Sequence, residues 1–248
     1  MQSELLVFCL VALVVTGAYT VFGMTGFGAT FVAMPLLVQF QPLASAVPMM
    51  LLLDLLATST VGGRNWRAVE KPELLRLAPA MLGGIVLGAA ALSLLEPRPL
   101  LMCLGVFVCA NALWSLRSAD VPVKDIAPRW AIPAGALGGV FSAAFGTGGP
   151  IYTVYLARRL RDVGVFRATI AAVILASAVL RLTVFGVAGL LSDRALLVTA
   201  AALAPFCFLG VFAGSALRHK LAPERMRQLM LTVLLFGGVA VIARALRA

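Results

Sequence analysis

Two ionisable residues lie deep inside long apolar stretches of this chain: Asp54 in MMLLLDLLATS and Arg181 in ILASAVLRLTVFG. A charge at the centre of a bilayer costs roughly 2.5–3.5 kcal/mol on insertion scales, so such residues pair with each other or serve a function. A guanidinium can hold an oxyanion through two parallel hydrogen bonds. A nearby carboxylate can act as counter-ion or take up a proton. Mutual pairing of Asp54 and Arg181 fits the same pattern, and the sequence leaves both readings open. The second chemical signal is a pair of glycine-rich breaks, Gly23-Met24-Thr25-Gly26-Phe27-Gly28 and Gly146-Thr147-Gly148-Gly149-Pro150. A helix resumes after each, over Ala29 to Leu37 and over Pro150 to Leu156. Helix starts carry unpaired N–H groups and about half a positive charge. Thr25 and Thr147 are placed to add hydroxyls there, and Pro150 suits a first helical position because its missing N–H would be unpaired anyway. Two such starts converging near the midplane would cage a small anion. The candidate substrate-binding residues are therefore Thr25, Gly26, Gly28, Gly146, Thr147, Gly148, Gly149, Pro150 and Arg181, with Asp54 as proton-coupling group or counter-ion. The competing reading of the glycines is close helix packing. No metal or cofactor is expected.

The surroundings of these residues are set by composition. Of 248 residues, 62% are hydrophobic and 12% charged, against roughly 25% charged in soluble chains. So few charges cannot cover a soluble surface; the chain reads as an all-α polytopic membrane protein. The net charge of +10 is then first a topology signal. Its basic residues gather in loops without interleaved aromatics, which sets nucleic acid aside. The N-terminal run MQSELLVFCLVALVV has no basic residue before it and reads as a first membrane helix rather than a signal peptide. Cys9, Cys103, Cys109 and Cys207 sit in apolar runs at spacings unlike any metal or redox motif, and read as small core hydrophobes. His219, between Arg218 and Lys220, reads as a solvated loop residue.

Apolar stretches fall at 4–40, 44–62, 74–95, 100–116, 130–157, 164–188, 195–217 and 228–243. Six match the roughly 20 residues of a single crossing. The two broken ones, 4–40 and 130–157, are either long bent crossings or re-entrant hairpins. Basic residues arbitrate. If all eight cross, the two sides receive 10 and 9 Lys/Arg; if the broken stretches fold back, the count is 15 against 4, with Arg181 in the membrane. The rich side then holds Arg64, Arg67, Lys71, Arg76, Arg117, Lys124, Arg129, Arg158, Arg159, Arg161, Arg167, Arg218, Lys220, Arg225 and Arg227. The hairpin arrangement is expected, with both termini outside and the basic loops in the cytoplasm.

The two halves also resemble each other. Gly26 and Gly28 precede Gly146 and Gly148 by 120 residues, Gly63 precedes Gly186 by 123, and the steps Gly84/Gly88 and Gly210/Gly214 match at 126. In this register Asp54 matches Ser177 and Arg181 matches Thr58. One integral membrane domain is expected, built from repeat 1 (1–117) and repeat 2 (118–248). Each repeat is a glycine-broken re-entrant hairpin followed by three transmembrane helices. Three crossings invert the second repeat, the architecture of many secondary transporters.

The segments GMTGFGATFVAMPLL and GGVFSAAFGTGGPIYTVYL resemble the paired signatures of the TauE/SafE family of sulfite and organosulfonate exporters, the four-toluenesulfonate uptake permeases. The similarity spans almost the whole chain, including GGRNWRAVEK. It implies a transporter of sulfite, sulfoacetate or another sulfonate in a prokaryotic cytoplasmic (inner) membrane. By position, Gly26, Gly28, Gly146, Gly148 and Gly149 match the family's glycine-rich elements, and Pro35 the proline that follows. Ala29, Thr30 and Pro150 depart from it where glycine is usual, and Tyr155 replaces the second proline. The expected function is a secondary active exporter working by alternating access, with one half rocking against the other and coupling to protons or to the membrane potential. Alternatives are a passive small-anion channel and a non-transporting membrane scaffold. No Gly-x-x-x-x-Gly-Lys-Ser/Thr loop points to ATP. An enzyme is not expected, since Ser142 lacks the Gly-x-Ser-x-Gly setting and no membrane histidine could serve it. The expected partners are a small anion, protons, the lipid bilayer and, for all the sequence says, a second copy of the chain.

Overall fold

The computed structural model describes residues 2–26, 28–61, 66–117, 125–217 and 223–247. All regular structure among them is helical: α1 (Gln2–Thr25), α2 (Ala29–Leu37), α3 (Leu43–Val61), α4 (Lys71–Leu94), α5 (Pro97–Arg117), α6 (Ala131–Phe145), α7 (Gly149–Ala157), α8 (Val163–Val187), α9 (Arg194–Leu217) and α10 (Pro223–Arg247). Phe27, Gly63, Arg64, Lys124, Arg218, His219 and Lys220 lie outside the described residues. Helices α1, α4, α5, α8, α9 and α10 are long and apolar enough to cross a membrane. Their outward faces carry large apolar side chains, with Leu94 81% and Val187 88% exposed. In water such surfaces would be unstable; in lipid they are the solvated face.

Five of the six expected single crossings appear in α4, α5, α8, α9 and α10. The sixth, α3, is a shorter, largely apolar helix of 19 residues, roughly 28 Å at 1.5 Å per residue. The two expected hairpin arms differ. Helix α6 has 15 residues, roughly 22 Å, short of a roughly 30 Å hydrocarbon core. Helix α1 has 24 residues, roughly 36 Å, and is span-length by itself. The first break therefore follows a full-length helix, the second a short one.

Chain reversal after α6 is built by glycine. Gly146 adopts φ +70°, a left-handed helix ending that L side chains resist. Its amide bonds the Ser142 carbonyl and the Thr147 amide bonds that of Phe141, at 2.9 and 3.1 Å. Two residues on, Gly148 lies against the carbonyl of Gly138, ten positions earlier, so the chain has doubled back along α6. The far end of α7 is anchored to α4. Glu73, 2% exposed, accepts from the Tyr155 hydroxyl at 2.5 Å, from Arg159 Nη2 at 2.8 Å and from Arg76 Nη1 at 2.7 Å. The hydrogen-bonded Glu73 carboxylate holds the Arg159 guanidinium above its usual range. Tyr155, a departure from the family signature, thus has a structural partner.

Helix pairing crosses the sequence halves. The most extensive contact joins α4 to α6, the next joins α1 to α9, and the third joins α5 to α10. Small residues make the first two possible. A Cβ on Gly84 or Gly88 would strike the carbonyls of Ala136 or Val140, and one on Gly139 that of Met81. On the other seam Gly210 and Gly214 face the Thr16 and Thr20 carbonyls, while Gly23 faces that of Val211. Gly23, read from sequence as part of the break, is a packing residue inside α1. Without a hydrophobic drive between helices in lipid, such backbone approach is what holds them together. Gly88→Ala is expected to destabilise the folded protein by about 1–3 kcal/mol, read as a lower unfolding temperature in detergent.

Further contacts complete two groups. Helices α2 and α3 join α1 and α9; α7 and α8 join α4 and α6. Polar bonds knit each group internally, from Tyr19 and Thr30 to Asp54 in one, and between Ser142 and Ser177 and from the Glu70 amide to the Thr169 hydroxyl in the other. The groups meet through α3, which touches α8, α6 and α4. The α5–α10 pair lies against α2, where Gly237 packs on Pro35 and Arg244 donates to the Val38 carbonyl.

Candidate functional site

Where the two groups face each other they leave a cavity. One wall is Phe22 of α1, Gly28, Ala29, Thr30 and Phe31 at the start of α2, and Asp54 and Thr58 of α3. The other is Ser142 and Gly146 at the end of α6, Gly149, Pro150 and Tyr152 at the start of α7, and Ile174, Ser177, Ala178 and Arg181 of α8. Its volume is about 50 Å³, counted as room for the centres of water-sized groups. That admits about three to five such groups, the size of a bare oxyanion.

Of the residues singled out from sequence, Gly28, Gly146, Gly149, Pro150, Asp54 and Arg181 line this space. The others lie apart from it. Thr25 and Gly26 are exposed, and the Thr25 hydroxyl donates to the Val21 carbonyl at 2.8 Å. Gly148 is buried against Gly138 and Ser142. Thr147 is fully buried, and its hydroxyl has no partner. The glycines also divide by cause. Gly26 and Gly28 have φ of +84° and +90° with open space where a Cβ would go, so backbone conformation demands them. Gly148 has φ −69° and is required by packing.

Asp54 and Arg181 share the cavity without pairing directly. The carboxylate accepts the Tyr19 hydroxyl at 2.8 Å on one oxygen and the Thr30 hydroxyl at 2.5 Å on the other. Arg181, 3% exposed, gives Nη1 to the Ser142 carbonyl at 3.1 Å, and its Nε has no partner. A buried donor left unpaired is rare, and this one belongs to a residue of the cavity wall. The two helix starts are not equivalent. The one at α2 already has a protein carboxylate beside its first turn, a favourable place for negative charge. The one at α7 faces a guanidinium.

Thr30, Thr58, Ser142, Tyr152 and Ser177 also line the cavity, and Tyr19 reaches it only through its bond to Asp54; the motif reading did not assign these residues to the site. The repeat register does contain a signal for two of them, since Thr58 and Ser177 are the counterparts of Arg181 and Asp54, and all four line the cavity.

The family described as "Sulfite exporter TauE/SafE" matches residues 10–241. The "Probable inner membrane transporter protein TsaS" of Comamonas testosteroni is 31% identical over 194 residues, covering 77% of this chain and 80% of that protein. No solved structure matches the chain significantly.

Proposed function

Because the chain belongs to the TauE/SafE sulfite exporter family and is a membrane transporter, not an enzyme, we propose that it exports a small sulfur-containing anion by secondary active transport. Sulfite, sulfoacetate and other organosulfonates are the candidates. The carrying observation is the cavity into which both glycine breaks and a buried arginine converge. Its size favours sulfite in this conformation, and an aryl sulfonate would need a wider state. The membrane in question is the prokaryotic inner membrane, as the name of the TsaS relative has it for that protein. Both termini lie outside on the charge bias of the loops.

Inverted repeats are supported by the exchange of partners. Swapping the labels of the halves turns α1·α9 into α6·α4 and α3·α9 into α8·α4, and all four contacts are present. The bodies that rock are then not the two sequence halves. They are the group of α1, α2, α3 and α9 and the group of α4, α6, α7 and α8, with the substrate between them.

Charge balance gives Asp54 its role. With Asp54 and Arg181 both ionised the cavity is neutral, and an entering anion leaves one uncompensated charge inside the membrane. A proton on Asp54 restores neutrality. Without the proton, the inside-negative potential expels the anion, at about 2.3 kcal/mol per charge per 100 mV. Efflux of radiolabelled sulfite from proteoliposomes tests the whole reading: it should saturate, show counterflow with unlabelled sulfite, and be lost in empty liposomes. Non-saturating flux without counterflow would make the protein a channel, and no flux of any sulfur anion would leave a scaffold. Asp54→Asn should retain saturable efflux but lose its dependence on pH.

A further inference from the structure

The anion-transport reading names Arg181 as a ligand but leaves open which wall of the cavity carries the substrate. Building on that reading, we propose that Tyr152 is a second substrate ligand, and that the anion sits on the α7–α8 wall between the Tyr152 hydroxyl and the Arg181 Nε. Both side chains are buried, at 1% and 3% exposure, both line the cavity, and neither of these donor atoms has a protein partner.

The neighbouring groups bond one another. The Ser177 hydroxyl bonds that of Ser142 at 2.8 Å, and Arg181 Nη1 donates to the Ser142 carbonyl. These bonds fix the wall, and the Tyr152 hydroxyl and Arg181 Nε are its buried atoms without a partner. The start of α7 cannot supply many more. Pro150 has no N–H, and the amides of Ile151 and Tyr152 both turn back to the Gly148 carbonyl at 3.1 and 3.3 Å. Side-chain donors must therefore complete the coordination of an anion that the helix start attracts.

The sequence also builds a seat for the ring. A Cβ at Gly138 would run into the ring carbons of Tyr152. Glycine there lets the phenol ring lie close against α6, and this fixes where its hydroxyl emerges. The opposite wall is unsuited to an anion, because Asp54 occupies it with Tyr19 and Thr30 already donating to both carboxylate oxygens. The two tyrosines thus divide the work: Tyr19, behind the cavity wall, holds the protein's own carboxylate, and Tyr152, in the wall, holds the substrate.

The test is Tyr152→Phe in the purified full-length chain, titrated calorimetrically with sulfite and with sulfoacetate. Removing a hydrogen bond to a charged group should raise Kd roughly tenfold or more. The melting temperature of the ligand-free protein should stay unchanged, since the ring keeps its seat. Gly138→Ala, which displaces the ring, should weaken sulfite binding in the same direction. Wild-type affinity in Tyr152→Phe would overturn the assignment, and so would an affinity loss accompanied by an equal loss of ligand-free stability. If the wild-type protein binds neither anion while remaining folded, the transport reading itself falls, and the two failures are told apart.

Discussion

Arg181→Ala should raise the Kd for sulfite by about 30-fold or more and reduce efflux to the level of empty liposomes. Truncating one partner of a buried, hydrogen-bonded charge pair costs about 2–5 kcal/mol, and each 1.4 kcal/mol is tenfold in affinity. The effect is compounded here because Asp54 stays behind as the cavity's only charged side chain and repels the ligand. Arg181→Lys should recover part of the affinity, as it restores charge but not the planar fork. Folding should suffer less than binding. The guanidinium makes one protein hydrogen bond, to the Ser142 carbonyl, and Ser142 keeps its hydroxyl bond to Ser177. Calorimetry with sulfite alongside a ligand-free melting curve separates the two. Unchanged affinity would remove Arg181 from the site.

A covalent tie between Glu73 and Arg159 should leave transport within about twofold of the untied protein. These positions, changed to cysteine in a chain without its native cysteines and joined by a short bis-thiol reagent, link α4 of the first half to the end of α7 in the second. The native ion pair, 2.8 Å long, already places them together. If the sequence halves rocked against each other, this tie would span the moving boundary and stop turnover. If the moving bodies exchange their second crossings, the tie lies inside one of them and costs nothing. Sulfite efflux before and after cross-linking decides it.

Much of this site was legible because charge and glycine are conspicuous in an apolar chain. Asp54 and Arg181 were placed by type alone, and Gly28, Gly146, Gly149 and Pro150 by the breaks they form. The hydroxyls were not legible. In membrane helices Ser and Thr commonly bond the carbonyl four residues back, as Thr16, Thr20 and Thr183 do here. Nothing in the residue type tells these from Thr30, Ser142 or Ser177, whose hydroxyls reach another helix. The glycine steps at Gly84/Gly88 and Gly210/Gly214 announced close approach but not the partner. That α4 meets α6, and α1 meets α9, depends on which small-residue faces fit, a tertiary property that periodicity does not carry. Gly148 was legible as special, but the close approach of Gly138 and Ser142 that requires glycine there was not.

The exchanged crossings bear on how the chain is made. Helix α1 leaves the ribosome well before α9, yet its face holding Gly23 must wait for Gly214 of α9, most of this sequence later. Helix α4 waits likewise for α6. Until then both leave backbone-exposing stripes open to lipid, and neither half can close on itself. Contacts so distant in sequence form slowly. Biogenesis should therefore hinge on a late annealing step, in which the second half threads its helices into gaps that the first half has kept vacant.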